Sequence, residues 1–435
     1  MESSEETPVQ ESEPTPPEDY VVEVVRKARG AATKLAALST AVKDEALLAM
    51  ADSLVEKTDH ILEANKQDLD ALEAEGEERA QSALADRLQL NPERIAEMAA
   101  GIREVAKLPD PVGGTPKMWR RPNGMRVGRV RVPIGVIGMI YESRPNVTAD
   151  SAALCLKSGN ACVLKGGSEA IHSNTAIAGL LAEAAEKAGV PAGAITFVTR
   201  TEREVARALL KQDAFVDLVI PRGGESLMKT VREESTIPVI KHDKGVCHVY
   251  VDAGADAAMA QEICFNAKVQ RPSTCNAMET LLVHQASVRG FLPDLLRRLK
   301  DAGVEVRGCP KTCEVSADVK PAEEGDFGAE FLSLTLAVKI VKSVDEAMDH
   351  IAQYGSRHTE AIVTKDYSRA LRFLREVDAG AVMVNASTRL NDGYQFGLGA
   401  EIGISTGRIH ARGPMGLEEL TCSKFIVMGS GQIRE

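Results

Sequence analysis

Apolar positions recur at spacings of three and four through the first hundred residues, as at Val21, Val24, Val25 and Ala28 and again at Ile95, Met98 and Ile102. That spacing gathers apolar side chains on one helical face, so residues from about Tyr20 to Ala106 are expected to be helical. Residues 1–19 are Glu, Pro, Ser and Thr with almost nothing apolar. They bury too little surface to offset ordering entropy, and this acidic tail is expected to be disordered. Between Met118 and Val132 basic and apolar residues alternate around Pro122-Asn123-Gly124, the pattern of a hairpin. It suits a solvated edge hairpin and an oligomer contact equally well.

From Val132 the pattern becomes strand, turn, helix, repeated. Strands are expected at Gly135–Ile140, Ala161–Lys165, Ile195–Thr199, Leu218–Pro221 and Val239–Ile240, with alanine-rich helices such as Thr175–Ala188 and Glu202–Leu210 between them. This alternation predicts an α/β protein with a mostly parallel sheet covered on both faces. A second α/β block runs from Cys247 to Asn385. The tail from Ala386 is glycine-rich, then strand-like over Ser423–Met428.

Length and charge narrow the function. A chain of 435 residues fits two domains rather than one small core. A net charge of −11 argues against nucleic acid or an anionic membrane as the main partner. It leaves room for a phosphorylated substrate, which local basic groups and helix N-termini can hold. Eight cysteines in a chain this long form no disulfide framework, and Cys309 and Cys313 have the wrong spacing for a zinc knuckle or redox pair. With no signal-like segment and no apolar run near the ~18 residues of a membrane span, a cytoplasmic protein is expected.

The chemistry concentrates at a few positions. Cys275 lies in a Pro/Ser/Thr-rich turn after Arg271, whose charge is expected to favour the nucleophilic thiolate. Arg144 and Asn146 follow the strand Gly135–Ile140, at the end where open α/β sheets place ligands, and both can donate to an oxyanion or phosphate. Lys165, Gly166 and Ser168 form a strand-end turn suited to ribose hydroxyls or a 2′-phosphate, although a GxGxxG fingerprint is missing. Arg222, Gly223 and Gly224 precede a helix whose first-turn N–H groups suit a pyrophosphate; a plain helix start is the alternative. His242 and His248 read as polar loop histidines, and no catalytic metal is expected. The tail Asn391–Glu401 reads as either a pocket lining or a linker.

VPIGVIGMIYESRPNVT, VLKGGSEA, LVIPRGG, PVIKHDKGVCHVYVD, QRPSTCNAMETLLVH, YGSRHTEAIVT and FGLGAEIGISTGRIHARGPMGLEELT together carry a resemblance. Over about residues 20–435 the chain resembles the aldehyde dehydrogenase superfamily and, within it, the γ-glutamyl phosphate reductases (glutamate-5-semialdehyde dehydrogenases). The resemblance implies NADPH-dependent reduction of L-glutamyl 5-phosphate to the 5-semialdehyde and phosphate, in proline biosynthesis, with Cys275 as nucleophile. It implies two Rossmann-like domains: a cofactor-binding domain of residues 20–117 and 133–246, and a catalytic domain of residues 247–385. The hairpin 118–132 becomes an oligomerisation arm, and residues 386–435 a substrate loop with an oligomerisation strand. A homo-oligomer and a partnership with glutamate 5-kinase are further expectations.

Departures from ordinary aldehyde dehydrogenases follow from ungapped counting. Arg144 falls where those enzymes carry an oxyanion-binding Asn. Ile240 falls near their water-activating Glu, as suits a reductase that must not hydrolyse its thioester. Ser168 replaces a ribose-binding Glu, favouring NADPH, although Glu169 is adjacent. Glu330 resembles the nicotinamide-ribose Glu. Arg271 is a candidate for the phosphate, and Ser387, Thr388, Arg389 and Asp392 for the substrate's α-amino and α-carboxylate groups. The alternative function is a hydrolytic aldehyde dehydrogenase acting on a small aldehyde, which would need a carboxylate base near the thioester.

Overall fold

The computed structural model describes residues 15–74, 76, 83–240 and 244–434. The expected disordered tail lies mostly outside them, as does His242. Its last residues, Pro17 to Asp19, open the first helix. Proline at the first helical position loses no hydrogen bond there, and Glu18 and Asp19 favour the positive end of the helix.

The N-terminal region folds as α1 (Pro17–Leu35), α2 (Thr40–Glu56), α3 (Thr58–Ala74), α4 (Ala83–Leu88) and α5 (Pro92–Lys107). Helix α1 packs directly on a four-stranded parallel sheet of order β5-β4-β3-β6, with β3 Val136–Tyr141, β4 Ala161–Lys165, β5 Ile195–Phe197 and β6 Leu218–Arg222, whereas α2, α3 and α5 pack on the helices that follow β3 and β4. Strands β3 and β4 are buried at every position, as expected for strands covered on both faces. The Val239–Ile240 segment supplies only a single bridge, Val239 to Val219. It follows Pro238, which has no N–H to extend a ladder.

Two crossover helices matter for the site: α6 (Pro145–Lys157) after β3 and α7 (Ile171–Lys187) after β4. The latter starts earlier than the expected Thr175. Asp68 of α3 accepts from the N–H groups of His172 (3.0 Å) and Ser173 (2.8 Å), satisfying the first turn from 104 or more residues away. On the same side, the buried Lys157 ammonium pairs with Asp44 and donates to the Ala106 carbonyl (2.7 Å), tying α6 to α2 and α5.

The second block is a seven-stranded, wholly parallel sheet of order β10-β9-β11-β8-β7-β12-β13. Its strands are β7 Cys247–Val251, β8 Met278–His284, β9 Glu305–Gly308, β10 Lys320–Pro321, β11 Thr335–Val341, β12 Thr359–Val363 and β13 Ala381–Val384. Separate apolar clusters cover each face.

The hairpin is β1 (Lys117–Arg120) and β2 (Arg126–Pro133), and the tail adds a third strand, Thr421–Met428, antiparallel to β2 over all eight residues. Phe425, Val427, Met428 and Met118 of this arm are exposed. The segment before the last strand returns to the first domain. Ile402, Ala411, Met415, Leu417 and Leu420 join its core, and the buried Asn160 donates to the Leu420 carbonyl (2.8 Å) and accepts from Gly135 N–H (2.8 Å). Among the described residues no helix is long and apolar enough to cross a membrane.

Candidate active site

The first sheet reverses its order between β3 and β6, and the segments leaving both strands converge there. This is where an open α/β sheet forms a crevice. After β3 the chain turns sharply. Ser143 adopts φ 38°, a strained conformation for a residue with a side chain. Glu169 holds the turn by accepting from both the N–H (2.6 Å) and the hydroxyl (2.7 Å) of Ser143. Pro145 then starts α6, leaving Arg144 half-buried at the strand-to-helix junction.

The second sheet contributes its opposite ends. Cys275 stands just before β8, Gly245 just before β7, and Glu330 ahead of β11. The thiol of Cys275 is half-buried, and burial pushes it up to about 11. Arg222 and Arg144 pull it back down; Glu401 and Glu330 push it further up. The expected influence of Arg271 is thus replaced by that of two arginines from the first sheet. Arg271 is exposed and lies within electrostatic reach of Arg144 instead. In ligand-free protein, alkylation of Cys275 by iodoacetamide is therefore expected to rise about tenfold per pH unit between about pH 7 and 9, because only the thiolate reacts. A plateau below about pH 8 would mean that the cations outweigh burial.

The backbone around the sulfur is tightly determined. Gly245 packs against it so closely that a Cβ there would stand 2.7 Å from the Cys275 carbonyl carbon and 2.8 Å from its Cα. The Cys247 thiol donates to the Cys275 carbonyl (3.2 Å). Asn276 donates to the Asn391 carbonyl (2.9 Å). Arg389 bonds Gln270 (2.9 Å) on one side of Cys275 and Asn276 on the other.

The remaining candidates divide. Burial lowers the Arg144 guanidinium from its usual range, followed by repulsion from Arg222, Arg87 and Arg271, so four arginines share this corner. Arg222, expected at the cofactor, sits in the field of Cys275, Asp150 and Glu401. Asn146 is exposed and donates to Asp150 (3.2 Å) on its own helix, so no oxyanion contact is evident. The N–H of Gly224, expected to take a pyrophosphate, already donates to Glu142 (2.8 Å). Lys165 is buried and donates to the Gly166 carbonyl (2.8 Å); burial lowers its ammonium from the usual range. Ser168 is exposed, beside the Glu169 carboxylate that Ser143 holds. Glu330 accepts from Gly245 N–H (2.9 Å), and burial raises it.

Ser387 is buried and donates to Asn266 (2.7 Å) of the helix Ala257–Val269, and Thr388 is fully buried. Asp392 accepts from the N–H groups of Tyr394 (2.9 Å) and Gln395 (3.2 Å). His248 is not a loop residue but buried in β7, with Nδ1 2.9 Å from Glu360.

Sequence reasoning missed Glu401 and Arg87. Glu401 accepts from Gly393 N–H (2.9 Å), closing the glycine-rich tail into a loop. Burial raises its carboxyl to about 6, Asp392 adds to the rise, and it faces Cys275 electrostatically. The counted position Ile240 is buried in the first core, yet Glu401 and Glu330 still put carboxylates near the sulfur. No periodicity marks Glu401; as the single carboxylate between Asp392 and Glu418, in a stretch with seven glycines, it was the available signal.

Comparison with known proteins agrees with this architecture. Residues 7–323 match the aldehyde dehydrogenase family. The chain is 56% identical over 415 residues to the gamma-glutamyl phosphate reductase of Thermodesulfovibrio yellowstonii, covering 95% of this chain and 99% of the relative. It is 55% identical over 412 residues to that of Geobacter metallireducens, covering 95% and 98%. The crystal structure of the Thermotoga maritima gamma-glutamyl phosphate reductase superposes with a TM-score of 0.92 at 47% identity, covering 95% of this chain and 100% of that one.

Proposed function

Because the chain belongs to the aldehyde dehydrogenase family and, within it, to the gamma-glutamyl phosphate reductases, we propose that it reduces L-glutamyl 5-phosphate to L-glutamate 5-semialdehyde and phosphate, a step of proline biosynthesis, with Cys275 carrying the acyl group. The observation that carries this reading is the half-buried Cys275 thiol in the field of Arg222 and Arg144. That field suits an acyl phosphate, whose charge is concentrated on the leaving group.

A thiol near 11 is almost wholly protonated at neutral pH, so attack needs a proton acceptor. Glu401 takes that proton as the Cys275 sulfur bonds to the acyl carbon. The carbonyl oxygen turns negative within reach of Arg144 and of backbone N–H groups in the Cys275 turn. The carbon–oxygen bond to phosphate breaks; the phosphate accepts the proton from Glu401 and is held by Arg222 and Arg271. When bound, the reduced nicotinamide supplies a hydride to the thioester carbon. The carbon–sulfur bond then breaks, giving the aldehyde and the Cys275 thiolate, which water reprotonates through Glu401. Arg389 and Asp392 are the groups proposed for the substrate's α-carboxylate and α-amino ends.

The family match supports a nicotinamide dinucleotide, and we place it in this crevice. Ser168 is exposed three residues after the buried Lys165, whose ammonium lies in the field of Glu169 and Glu202, while the Glu169 carboxylate is engaged with Ser143. A hydroxyl at position 168, where a carboxylate would repel a 2′-phosphate, favours NADPH over NADH. Glu330, fixed by Gly245, is proposed at the nicotinamide ribose. The exposed apolar row on the arm supports self-association there.

The test is oxidation of glutamate 5-semialdehyde in the back direction, with NADP or NAD and with or without inorganic phosphate. Reduction of NADP that requires phosphate is expected. Oxidation at full rate without phosphate would instead favour the hydrolytic alternative, with Glu401 or Glu330 as its base.

A further inference from the structure

Lys268 and Glu279 are both fully buried and form an ion pair of 2.6 Å, although neither touches the thiol. Lys268 is the penultimate residue of α10 (Ala257–Val269), and Glu279 is the second residue of β8. The residues between them are the loop that carries Cys275. The pair therefore closes the base of that loop. The second Glu279 oxygen accepts from Leu332 N–H (3.1 Å), at a residue with φ 52°, and Phe331 stacks near the Lys268 ammonium (6.0 Å). Two residues before Leu332, Glu330 accepts from Gly245 N–H (2.9 Å), and Gly245 abuts the Cys275 backbone. The contacts run in a ring from Lys268 through Glu279, Leu332, Glu330 and Gly245 to Cys275 and back along the loop.

We propose that Lys268 and Glu279 are positioning residues for the reaction, holding the Cys275 loop and the Glu330 segment in one fixed relation. A buried ion pair is a weak source of stability, since well-packed apolar residues often replace one at little or no loss. What an apolar pair does not reproduce is the charge-assisted grip on Leu332 N–H and on the loop's two ends. Cys275 and the nicotinamide side of the site come from different segments, and a shift of about 1 Å between them costs about 10²-fold in rate. The inference rests on Cys275 being the nucleophile.

The experiment compares wild type with K268M/E279L, E279D and K268R. It measures thermal melting, NADP affinity, and kcat and KM for phosphate-dependent semialdehyde oxidation. The apolar double variant is expected to melt near wild type and bind NADP normally, with kcat down about 10²-fold and KM within about threefold, while K268R recovers most of the rate. Should the double variant fail to fold, E279D decides: its shortened carboxylate is expected to lower kcat by at least about tenfold with KM unchanged. The proposal is overturned if either folded variant keeps kcat within about twofold of wild type, or if kcat, NADP affinity and melting temperature all fall together. A C275A control separates the two levels: activity retained there removes the nucleophile assignment, whereas its loss leaves only the positioning role in question.

Discussion

Replacing Cys275 with Ala is expected to abolish reduction, lowering the back-direction rate by at least about 10⁴-fold, while NADP still binds with wild-type affinity. The acyl carbon has no other nucleophile in reach. Cys247, the nearest second thiol, is fully buried, is used as a donor to the Cys275 carbonyl, and is pushed far above the usual thiol range by burial. The substitution removes one sulfur from a half-buried position, so the fold should lose no more than about 1–2 kcal/mol. Cofactor titration by fluorescence, thermal melting and the phosphate-dependent assay check the three parts. Appreciable turnover by the folded variant would eliminate the thioester route.

Gly245→Ala is expected to have the next largest effect for a single added methyl group. The new Cβ meets the carbonyl carbon and Cα of Cys275, backbone atoms that no rotamer change can move aside. Either the Lys244–Val246 segment or the Cys275 turn must shift, and the shift also pulls Gly245 N–H from Glu330. Overpacking of this kind costs about 1–3 kcal/mol, and a displacement of about 1 Å at a reacting atom costs about 10²-fold in kcat. Gly223→Ala provides the contrast. There the nearest atoms belong to the side chains of Glu142 and Leu227, which can swing away, so a much smaller loss is expected. Equal kcat values for the two variants would show that the Gly245 contact does not set the position of the sulfur.

The sequence made the first sheet legible where its strands are buried on both faces. Ala161–Lys165 is a strand at the residues expected, because continuous apolar runs bounded by glycines have few other readings. Boundaries fixed by distant partners were not legible. The start of α7 depends on Asp68, and the first-domain core depends on Ile402 to Leu420. The same division holds at the site. Cys275 stood out because a Pro/Ser/Thr turn is no place for a core thiol. Its electrostatics did not, because Arg222 and Arg144 reach it from 53 and 131 positions upstream while the adjacent Arg271 faces solvent. Ser387 and Thr388 were plausible polar contacts in a loop; only packing shows that one is spent on Asn266 and the other is enclosed. Lys268 and Glu279 carry no motif, and their pairing exists only once α10 and β8 lie side by side.

The return of the tail to the first domain bears on how the protein is made. Asn160 waits 260 positions for the Leu420 carbonyl, and β2 lacks one neighbour until Thr421–Met428 has been synthesised. At about 5–20 residues per second, ribosomes need on the order of tens of seconds to cover that interval. Throughout it the nascent first half presents an uncapped apolar surface and an open strand edge. The second half meanwhile has every strand of its own sheet before the tail emerges, so it is free to fold first although it is translated last.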